Sequence, residues 1–476
     1  MEPLAAANNS QESTARSICG IGFQPVIDRT VLSDAGEAAG CESWRQFRRR
    51  KFLGGVAMAT AGLLSQGMLT RIAERLSIAS EPQSGEKLHA KSLIILWMQG
   101  GPSQLETFDP HPGTKMGGET KAIKTSVPDL QIASTLPRTA EIMHLATLVR
   151  SVVSKEGDHE RATYNMKTGW RPDPTLIHPA IGAVVCHQTQ DNIEIPRHIS
   201  ILSGQWPSRG GYMGSVFDAF QTGDPKDPLP NLKSYTDPKV FENRLSDLRS
   251  IVEVEFRRGR LRELDKNKTL HESSTARATT MMSSEQISAF DIALEPTDLI
   301  NSFGNNAFGR GCLAAVRLIE QGVRCVEVEL SGWDTHVENH SLQSGRCAVL
   351  DAALHSLIKQ LEARNLLGQT IVMCGGEFGR TPRINVADGR DHWPTGFSTF
   401  LAGGPFRSGH VHGQTTHELI DVGKDPLKGV QDAVRIEDLH ATMLHAFGVD
   451  FSRELLTPIG RPLKLSAGKI IESLLG

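Results

Sequence analysis

Short apolar runs alternate with segments of helical periodicity along most of the chain. The runs at residues 91–98, 323–330 and 369–374 are predominantly hydrophobic, which is typical of strands buried on both faces of a parallel sheet. Apolar stripes at helical spacing precede and follow the second run, at residues 308–322 and 347–361. This succession predicts an α/β fold with a mostly parallel sheet and helices on both faces.

Residues from about 225 to 300 interrupt this alternation. The segment is rich in charge, has helical character, and continues into a stretch rich in Ser, Thr and Met. We interpret it as a helical insertion in a domain that covers residues 88–470, and expect it to cover the site or one face of the sheet.

The first 80 residues are predicted to be an export leader. Arg49 and Arg50 precede a Gly- and Ala-rich apolar run at 53–64, which is too short to span a bilayer comfortably. This pattern resembles a twin-arginine signal, and the alternative is a buried N-terminal helix with a basic start. We expect the twin-arginine export machinery as a partner, an exported, periplasmic or envelope-associated location, and no membrane span after leader removal.

Composition narrows the class of protein. Lys and Arg total 51 against 54 Asp and Glu, a formal net charge of −3, and 39% of residues are hydrophobic. This balance argues against a nucleic-acid partner and against a disordered chain. The seven cysteines include no C-x-x-C pair, which makes a disulfide scaffold or thiolate zinc site a poor fit, and Cys325 and Cys374 lie in apolar runs where thiols pack as small hydrophobes.

Acidic and imidazole side chains follow two of the predicted strands. Asp334 and His336 come just after the run at 323–330, Glu377 follows the run at 369–374, and Asp391 and His392 lie in a Gly- and Pro-bounded loop. Ligands of open α/β sheets bind beyond the carboxyl ends of strands. Carboxylate with imidazole suits zinc, manganese or iron, so we expect a divalent metal, with zinc, manganese and calcium not distinguished. The alternative for each loop histidine is a hydrogen-bonded or solvated side chain.

Arg380 lies three residues after Glu377 and has two interpretations. It either forms an internal ion pair with that acid or donates its guanidinium to a phosphate or sulfate oxyanion as a catalytic group. His159 is a candidate ligand or substrate contact, whereas helix capping alone would explain Asp158 beside it.

The loop after the first apolar run carries further candidates. Ser103 and Thr107 are possible hydroxyl nucleophiles, and Gln99 and Asp109 are candidate substrate contacts. The alternative is a Gly-rich turn that only requires small residues.

Long, ordered motifs then point to a family. The chain from about Lys91 to Gly448 resembles the exported bacterial family called domain of unknown function 1501, through the segments LWMQGGPSQLETFDPHP, GDHERATYNMKTGW, IEQGVRCVEVELSGWDTH, GEFGRTPRIN and GRDHWP. That family is placed in the alkaline phosphatase-like superfamily, with sulfatases and metal-dependent phosphoglycerate mutases. The resemblance implies a three-layer α/β/α sandwich, with metal ligands at Asp334, His336, Glu377 and His392.

Two functions from different classes remain open at this point. The first is an exported metal-dependent hydrolase of phosphate or sulfate esters, acting on a small-molecule or polysaccharide substrate. The second is a non-catalytic envelope binding or scaffold protein on the same fold. The second is motivated by Gln99, because relatives with established chemistry usually have an Asp ligand at the end of the first strand, and by the lack of the Cys/Ser-x-Pro-x-Arg sulfatase signature.

Overall fold

The computed structural model describes residues 89–189, 193–259, 270–416 and 427–476. All of them belong to Glu81–Gly476, the second of the two units into which the chain divides. The predicted export leader therefore lies outside the described residues. Among those residues, none of the helices combines the length and the apolar character that crossing a membrane requires.

Strands and helices alternate through most of this unit. The strands are β1 (Ser92–Gln99), β2 (Ala122–Lys124), β3 (Gln131–Ala133), β4 (Ala146–Val153), β5 (His198–Ile201), β6 (Phe220–Thr222), β7 (Cys325–Ser331), β8 (Thr370–Gly375), β9 (Gly379–Arg380), β10 (His392–Trp393), β11 (Phe397–Ala402), β12 (His410–His412), β13 (Gln414–Thr415), β14 (Val430–Gln431), β15 (Val434–Arg435), β16 (Glu454–Leu456) and β17 (Pro462–Lys464). The α-helices are α1 (Pro137–Glu141), α2 (His159–Thr168), α3 (Ile181–Gln188), α4 (Pro238–Gly259), α5 (Leu270–Ser283), α6 (Thr297–Ser302), α7 (Ala307–Glu320), α8 (Asn339–Ala363) and α9 (Ile436–Ala446).

A nine-stranded sheet organises the fold. Its order is β12-β4-β11-β8-β1-β7-β5-β6, and β15 also pairs with β4. Neighbouring strands are parallel except at β11, which runs antiparallel to both β4 and β8. The prediction of a mostly parallel sheet is therefore confirmed.

Strand β1 lies at the centre of the sheet and is buried on both faces. Leu93 pairs with Cys325 on one side, and Ile94 pairs with Val372 on the other. Successive side chains of a strand point to opposite faces, so its apolar residues divide between two separate cores. Ile94, Leu96 and Met98 belong to one core, and Leu93, Ile95 and Trp97 to the other.

Helices cover each face of the sheet and complete three layers. One core includes buried residues of α7 and α8, and the other includes buried residues of α3 and α9. Burying one Leu or Ile side chain contributes roughly 1.5–3 kcal/mol, so these two cores supply the main stabilisation of the fold. Helix α7 begins where the Asn306 side chain accepts a hydrogen bond from the Gly309 N–H, and the chain turns away after it at Gly322, where φ is +95°.

The segment from about 225 to 300 contains α4, α5 and α6, in agreement with its helical character. Met281, Phe290 and Ile292 from this segment join the core that contains α7 and α8. The insertion thus packs on one face of the sheet. Cys325 and Cys374 are buried and form no disulfide.

Candidate metal centre

The direction of the strands brings several connections to one edge of the sheet. Strands β1, β4, β7 and β8 run in the same sense, so the chain leaves them at this edge after Gln99, Val153, Ser331 and Gly375. Strand β11 runs the opposite way and therefore begins here, at Phe397. The loop that leads into β11 reaches the same place as the loops that leave the parallel strands.

Side chains from these connections converge closely enough to share one ion. One ligand atom from each of His159, Asp334 and His392 lies within 4.8 Å of the others. Nε2 of His336 is 3.0 Å from Nε2 of His392 and 3.2 Å from the Asp334 carboxylate. Ligand atoms bound to one ion at about 2.0–2.2 Å lie about 3 Å apart, so this spacing suits a common metal.

Helix capping fixes the position of His159. The Asp158 carboxylate accepts a hydrogen bond of 3.2 Å from the N–H of Arg161, which makes Asp158 the N-cap and His159 the first residue of α2. Capping explains Asp158, as one interpretation of the sequence held.

The imidazole of His159 is oriented by the buried carboxylate of Glu377. Its Nδ1 lies 2.8 Å from Oε1 of Glu377. The same oxygen accepts the Gly100 N–H at 2.9 Å and the Gln99 amide at 3.0 Å. Glu377 is 0% exposed, and its Oε2 makes no hydrogen bond. Glu377, predicted as a metal ligand, therefore acts in this geometry as the partner of a ligand candidate.

The other two histidines are held in the same manner. Nδ1 of His336 lies 3.2 Å from a carboxylate oxygen of Asp391, and Nδ1 of His392 lies 2.8 Å from the Gly157 carbonyl oxygen. With Nδ1 donating to an acceptor, each ring has its unprotonated Nε2 available for an ion. Asp391, also predicted as a ligand, is placed as the orienting partner of His336.

Arg380 holds the carboxylate of Asp334 in place. The guanidinium of Arg380 is 0% exposed and donates at 2.6 Å to Oδ1 of Asp334. Its other donors contact the carbonyl oxygens of Gly100, Gly101 and Arg390. The sequence suggested an ion pair between Arg380 and Glu377, but Arg380 pairs with Asp334 instead. Oε1 of Glu377 already accepts three hydrogen bonds. Because its donors contact the protein itself, the structure favours a positioning role for Arg380.

These contacts shift the pKa values of the clustered side chains. The hydrogen bond that His159 donates to Glu377 raises the pKa of His159. Burial lowers the pKa of His392, and the charge of Arg380 adds to this effect. Burial alone would raise the pKa of Asp334, but the hydrogen bond and charge of Arg380 outweigh it and keep that pKa below its ordinary value.

One buried atom of the cluster lacks a partner that an ion would supply. Nε2 of His159 is buried and makes no hydrogen bond, although it lies 3.3 Å from Oδ2 of Asp334. An unsatisfied buried polar atom costs about 1–3 kcal/mol, and a divalent metal bound at Nε2 would remove this cost. The donor set therefore fits a metal.

The hydroxyls of the two candidate nucleophiles form hydrogen bonds within their own loop. Ser103 and Thr107 are both buried. The Ser103 hydroxyl donates to the Glu106 carboxylate, and the Thr107 hydroxyl donates at 2.7 Å to the Ser103 carbonyl oxygen. The interpretation of this segment as a packed turn agrees with these contacts.

Asp109 belongs to a separate buried network. It accepts a hydrogen bond of 2.6 Å from the Thr415 hydroxyl and lies 3.4 Å from Nε of Arg150. Burial would raise its pKa, but the hydrogen bond with His111 and the charge of Arg150 lower it. Its partners are thus outside the histidine cluster, unlike Gln99, which contacts Glu377 directly.

The sequence left two interpretations of His159 open, a ligand or a substrate contact. In the structure its imidazole lies among the ligand candidates. The available signal was its position at a capped helix start after a predicted loop, yet no spacing in the chain links it to Asp334. Only the pairing of β4 in the sheet brings the two together.

Several solved structures are similar to this chain. A sulfatase from Pseudoalteromonas sp. matches with a TM-score of 0.37 and 10% identity, covering 80% of this chain and 71% of that one. A protein in the alkaline phosphatase superfamily from Vibrio parahaemolyticus has a TM-score of 0.34 and 10% identity, covering 87% and 80%. Alkaline phosphatase from the Antarctic bacterium TAB5 has a TM-score of 0.31 and 12% identity, covering 76% and 99%. None of these likenesses says what this chain acts on.

Sequence comparison gives the family assignment. Among curated proteins, none matches this chain. The model of one family, described as protein of unknown function (DUF1501), matches residues 90–475. This match spans the sheet, its covering helices and the histidine cluster, and the chain therefore belongs to the DUF1501 family.

Proposed function

We propose that the protein is an exported, metal-dependent hydrolase of phosphate or sulfate esters. The observation that carries this proposal is the shared orientation of His159, His336 and His392. Each has Nδ1 engaged by a carboxylate or carbonyl oxygen, and their Nε2 atoms lie 3.2–3.4 Å from the Asp334 carboxylate. Metal-ligating histidines in enzymes are oriented by such partners.

The donor set favours zinc or manganese over calcium. Imidazole nitrogen is a good ligand for zinc, and a mixed set of imidazole and carboxylate also admits manganese, whereas calcium prefers six to eight oxygen atoms. Three imidazoles and one carboxylate supply too few oxygen atoms for a calcium site. The proposal therefore commits to a nitrogen-rich metal centre.

The surrounding residues prepare this centre for ester chemistry. A bound divalent ion would polarise the ester oxygen and stabilise charge that develops in the transition state. Arg380 keeps Asp334 ionised, and Glu377 fixes the ring of His159. The Asp391 side chain is 62% exposed, so its carboxylate is accessible to solvent for proton transfer.

Direct attack by water suits the described residues better than a covalent intermediate. The hydroxyls of Ser103 and Thr107 are buried and hydrogen-bonded within their loop. A nucleophilic hydroxyl needs access to the substrate and an adjacent base. We therefore assign neither residue as the nucleophile.

The test is elemental analysis of protein purified without chelator, with His159→Ala and His392→Ala in parallel. His144→Ala is the matched control, because this exposed histidine lies just before β4 begins, at the opposite edge of the sheet. We expect near-stoichiometric zinc or manganese in the parent and the control, and loss in both site variants, followed by turnover of aryl phosphate or sulfate esters. A folded, metal-free parent protein would sink the proposal.

A second candidate function is a binding or scaffold protein on the same fold. It is favoured by the absence of an accessible hydroxyl at Ser103 and Thr107, and by Gln99 at the end of β1. It predicts no ester turnover in a metal-loaded protein. Turnover that disappears in Asp334→Ala would rule it out.

Export is the remaining element of the proposal, and it rests on Arg49 and Arg50. Residues 1–80 fused to a reporter should direct it across the membrane through the twin-arginine route. Replacing both arginines by lysine should retain the reporter inside the cell. Unchanged export of the double variant would contradict this assignment.

A further inference from the structure

A loop beside the metal centre is tied to the neighbouring strand on both sides of one tryptophan. The loop follows β5 at the same edge of the sheet. The Gly204 N–H donates at 3.0 Å to Glu329, and the Ser208 hydroxyl donates at 2.8 Å to Glu327. Both acceptors belong to β7, so the segment that carries Trp206 is fixed before any ligand arrives.

Two further contacts hold this segment in place. Nζ of Lys167 lies 2.8 Å from the Trp206 carbonyl oxygen and also 2.8 Å from Glu327. At Gly204, an added Cβ would lie 2.1 Å from Oε1 of Glu329, so a larger residue would have to displace that side chain. These hydrogen bonds, each of them buried or partly buried, hold the backbone around Trp206 in place.

The indole of Trp206 extends the surface of the metal centre. Its ring is nearly parallel to the imidazole of His159, with an interplanar angle of 15° and centroids 6.5 Å apart. Trp206 is half-buried, which leaves part of the ring accessible. The centre thus has an apolar face beside its ionic groups.

Polar groups accompany that face in the same loop. The buried hydroxyl oxygen of Ser203 has no hydrogen-bond partner, and the side chain of Gln205 is exposed. A buried hydroxyl without a partner within the protein is a group that an ordered water or a ligand would satisfy. A sugar ring offers C–H groups on its faces and hydroxyls at its edge, which matches an indole flanked by a hydroxyl and an amide.

We propose that Trp206 is the platform for a sugar ring in the organic part of the substrate, so that the substrate class is carbohydrate phosphate or sulfate esters. This inference rests on the proposed function. The metal centre binds the ester group, Trp206 stacks on the ring, and Ser203 with Gln205 contacts the ring hydroxyls. The anchored loop reduces the entropy lost on binding.

The experiment compares sugar esters with ring-free esters of the same charged group. The probes are glucose 6-phosphate and glucose 6-sulfate, with ethyl phosphate and ethyl sulfate as counterparts. Zinc-loaded parent protein, Trp206→Ala, Trp206→Phe and Trp170→Ala are measured by initial-rate kinetics where turnover occurs and by calorimetry where it does not. Trp170 is the matched control, because it is a half-buried tryptophan stacked on His178 rather than on His159.

We expect Trp206→Ala to weaken kcat/KM or affinity about tenfold for at least one sugar ester and to change the ethyl esters less than about twofold. Trp206→Phe should recover part of the loss, and Trp170→Ala should resemble the parent. Equal losses for sugar and ethyl esters, no loss for either, or a parent that binds no sugar ester would overturn the inference. Failure of the proposed function would appear separately, as a protein that retains no metal and hydrolyses none of the four esters.

Discussion

The imidazole of His159 and the carboxylate of Glu377 form a 2.8 Å hydrogen bond across 218 residues of sequence. Glu377 is fully buried and receives two further hydrogen bonds from the end of β1, so its position is fixed by the sheet. The rigid carboxylate in turn fixes the ring of His159. The edge of the sheet therefore determines, through Glu377, how a candidate metal ligand is oriented.

Replacing Glu377 by Gln tests this relationship. The variant keeps the shape but removes the charge, so we expect metal affinity to fall about 10- to 100-fold. The pKa of His159 in the metal-free protein should also fall, since the hydrogen bond with Glu377 is the main cause that raises it. Metal titration and the NMR titration of the imidazole measure the two effects. A pKa of His159 that does not move would contradict the orienting role of Glu377.

Arg380→Met should destabilise the fold and weaken metal binding together. The substitution leaves the carbonyl oxygens of Gly100 and Gly101 without their donor and Asp334 without its cation. Removing one partner of a buried ion pair costs about 3–5 kcal/mol, and we expect the lower half of that range because Asp334 is partly exposed. Urea unfolding measures the loss. Arg383→Met, at an exposed arginine of the same loop, should change stability by less than about 0.5 kcal/mol.

Gly389→Ala should disturb the metal centre through the backbone. A Cβ at this position would lie 1.8 Å from the His336 carbonyl oxygen, so the loop that carries Asp391 must move away. We expect lower metal affinity and a destabilisation of at least about 1 kcal/mol. Gly345→Ala is the control, because nothing lies within 4 Å of its added Cβ, in α8. That variant should be more stable by about 0.5–1 kcal/mol, and a similar loss in both would refute the steric explanation.

Because His440 is buried, we expect the folded protein to lose stability in acid. Burial lowers the pKa of this histidine from 6.5 to about 4, and its Nε2 donates at 2.8 Å to the Met166 carbonyl oxygen. The unfolded chain therefore binds a proton that the folded protein does not, so the stabilising contribution is complete above pH 6.5 and is lost as the pH falls toward 4.

The size of this effect is roughly 3 kcal/mol for the full shift. Urea unfolding at several pH values should show this slope in the parent and a flatter one in His440→Gln. His144→Gln, at an exposed histidine, should keep the parent slope. A parent protein with no loss between pH 6.5 and 4 would contradict the depressed pKa.

Much of the fold follows from the sequence because three central strands are predominantly apolar runs. Strands β1, β7 and β8 are fully or almost fully buried, and their hydrophobic residues predict this burial although Glu327 and Glu329 interrupt β7. Strand β4 is less evident, because Arg150 and Ser151 interrupt it. Arg150 pairs with Asp109, and Ser151 donates to the Asp432 carbonyl oxygen, which are tertiary contacts that no local pattern reveals.

Which strands are recognisable from the sequence also decides which residues of the site could be predicted. Asp334 and Glu377 follow recognisable strands, so their common edge is predictable from strand direction. His159 follows β4, and without that strand its loop could not be assigned to the edge. The loop of Asp391 and His392 precedes the antiparallel strand β11, and the sequence contains no sign of that reversal. The division of roles between metal ligands and their orienting partners depends on side-chain distances, which composition and spacing do not encode.

The central position of β1 also sets the order of events during synthesis. Leu93 pairs with Cys325, and Ile94 pairs with Val372, so both partner strands are made long after β1. At about 5–20 residues per second, the ribosome needs roughly 10–50 s to reach β7. During this time the hydrophobic strand β1 has neither neighbour. Assembly of the sheet must therefore wait until most of the chain is complete, and a strand-forming segment stays unpaired in the interval.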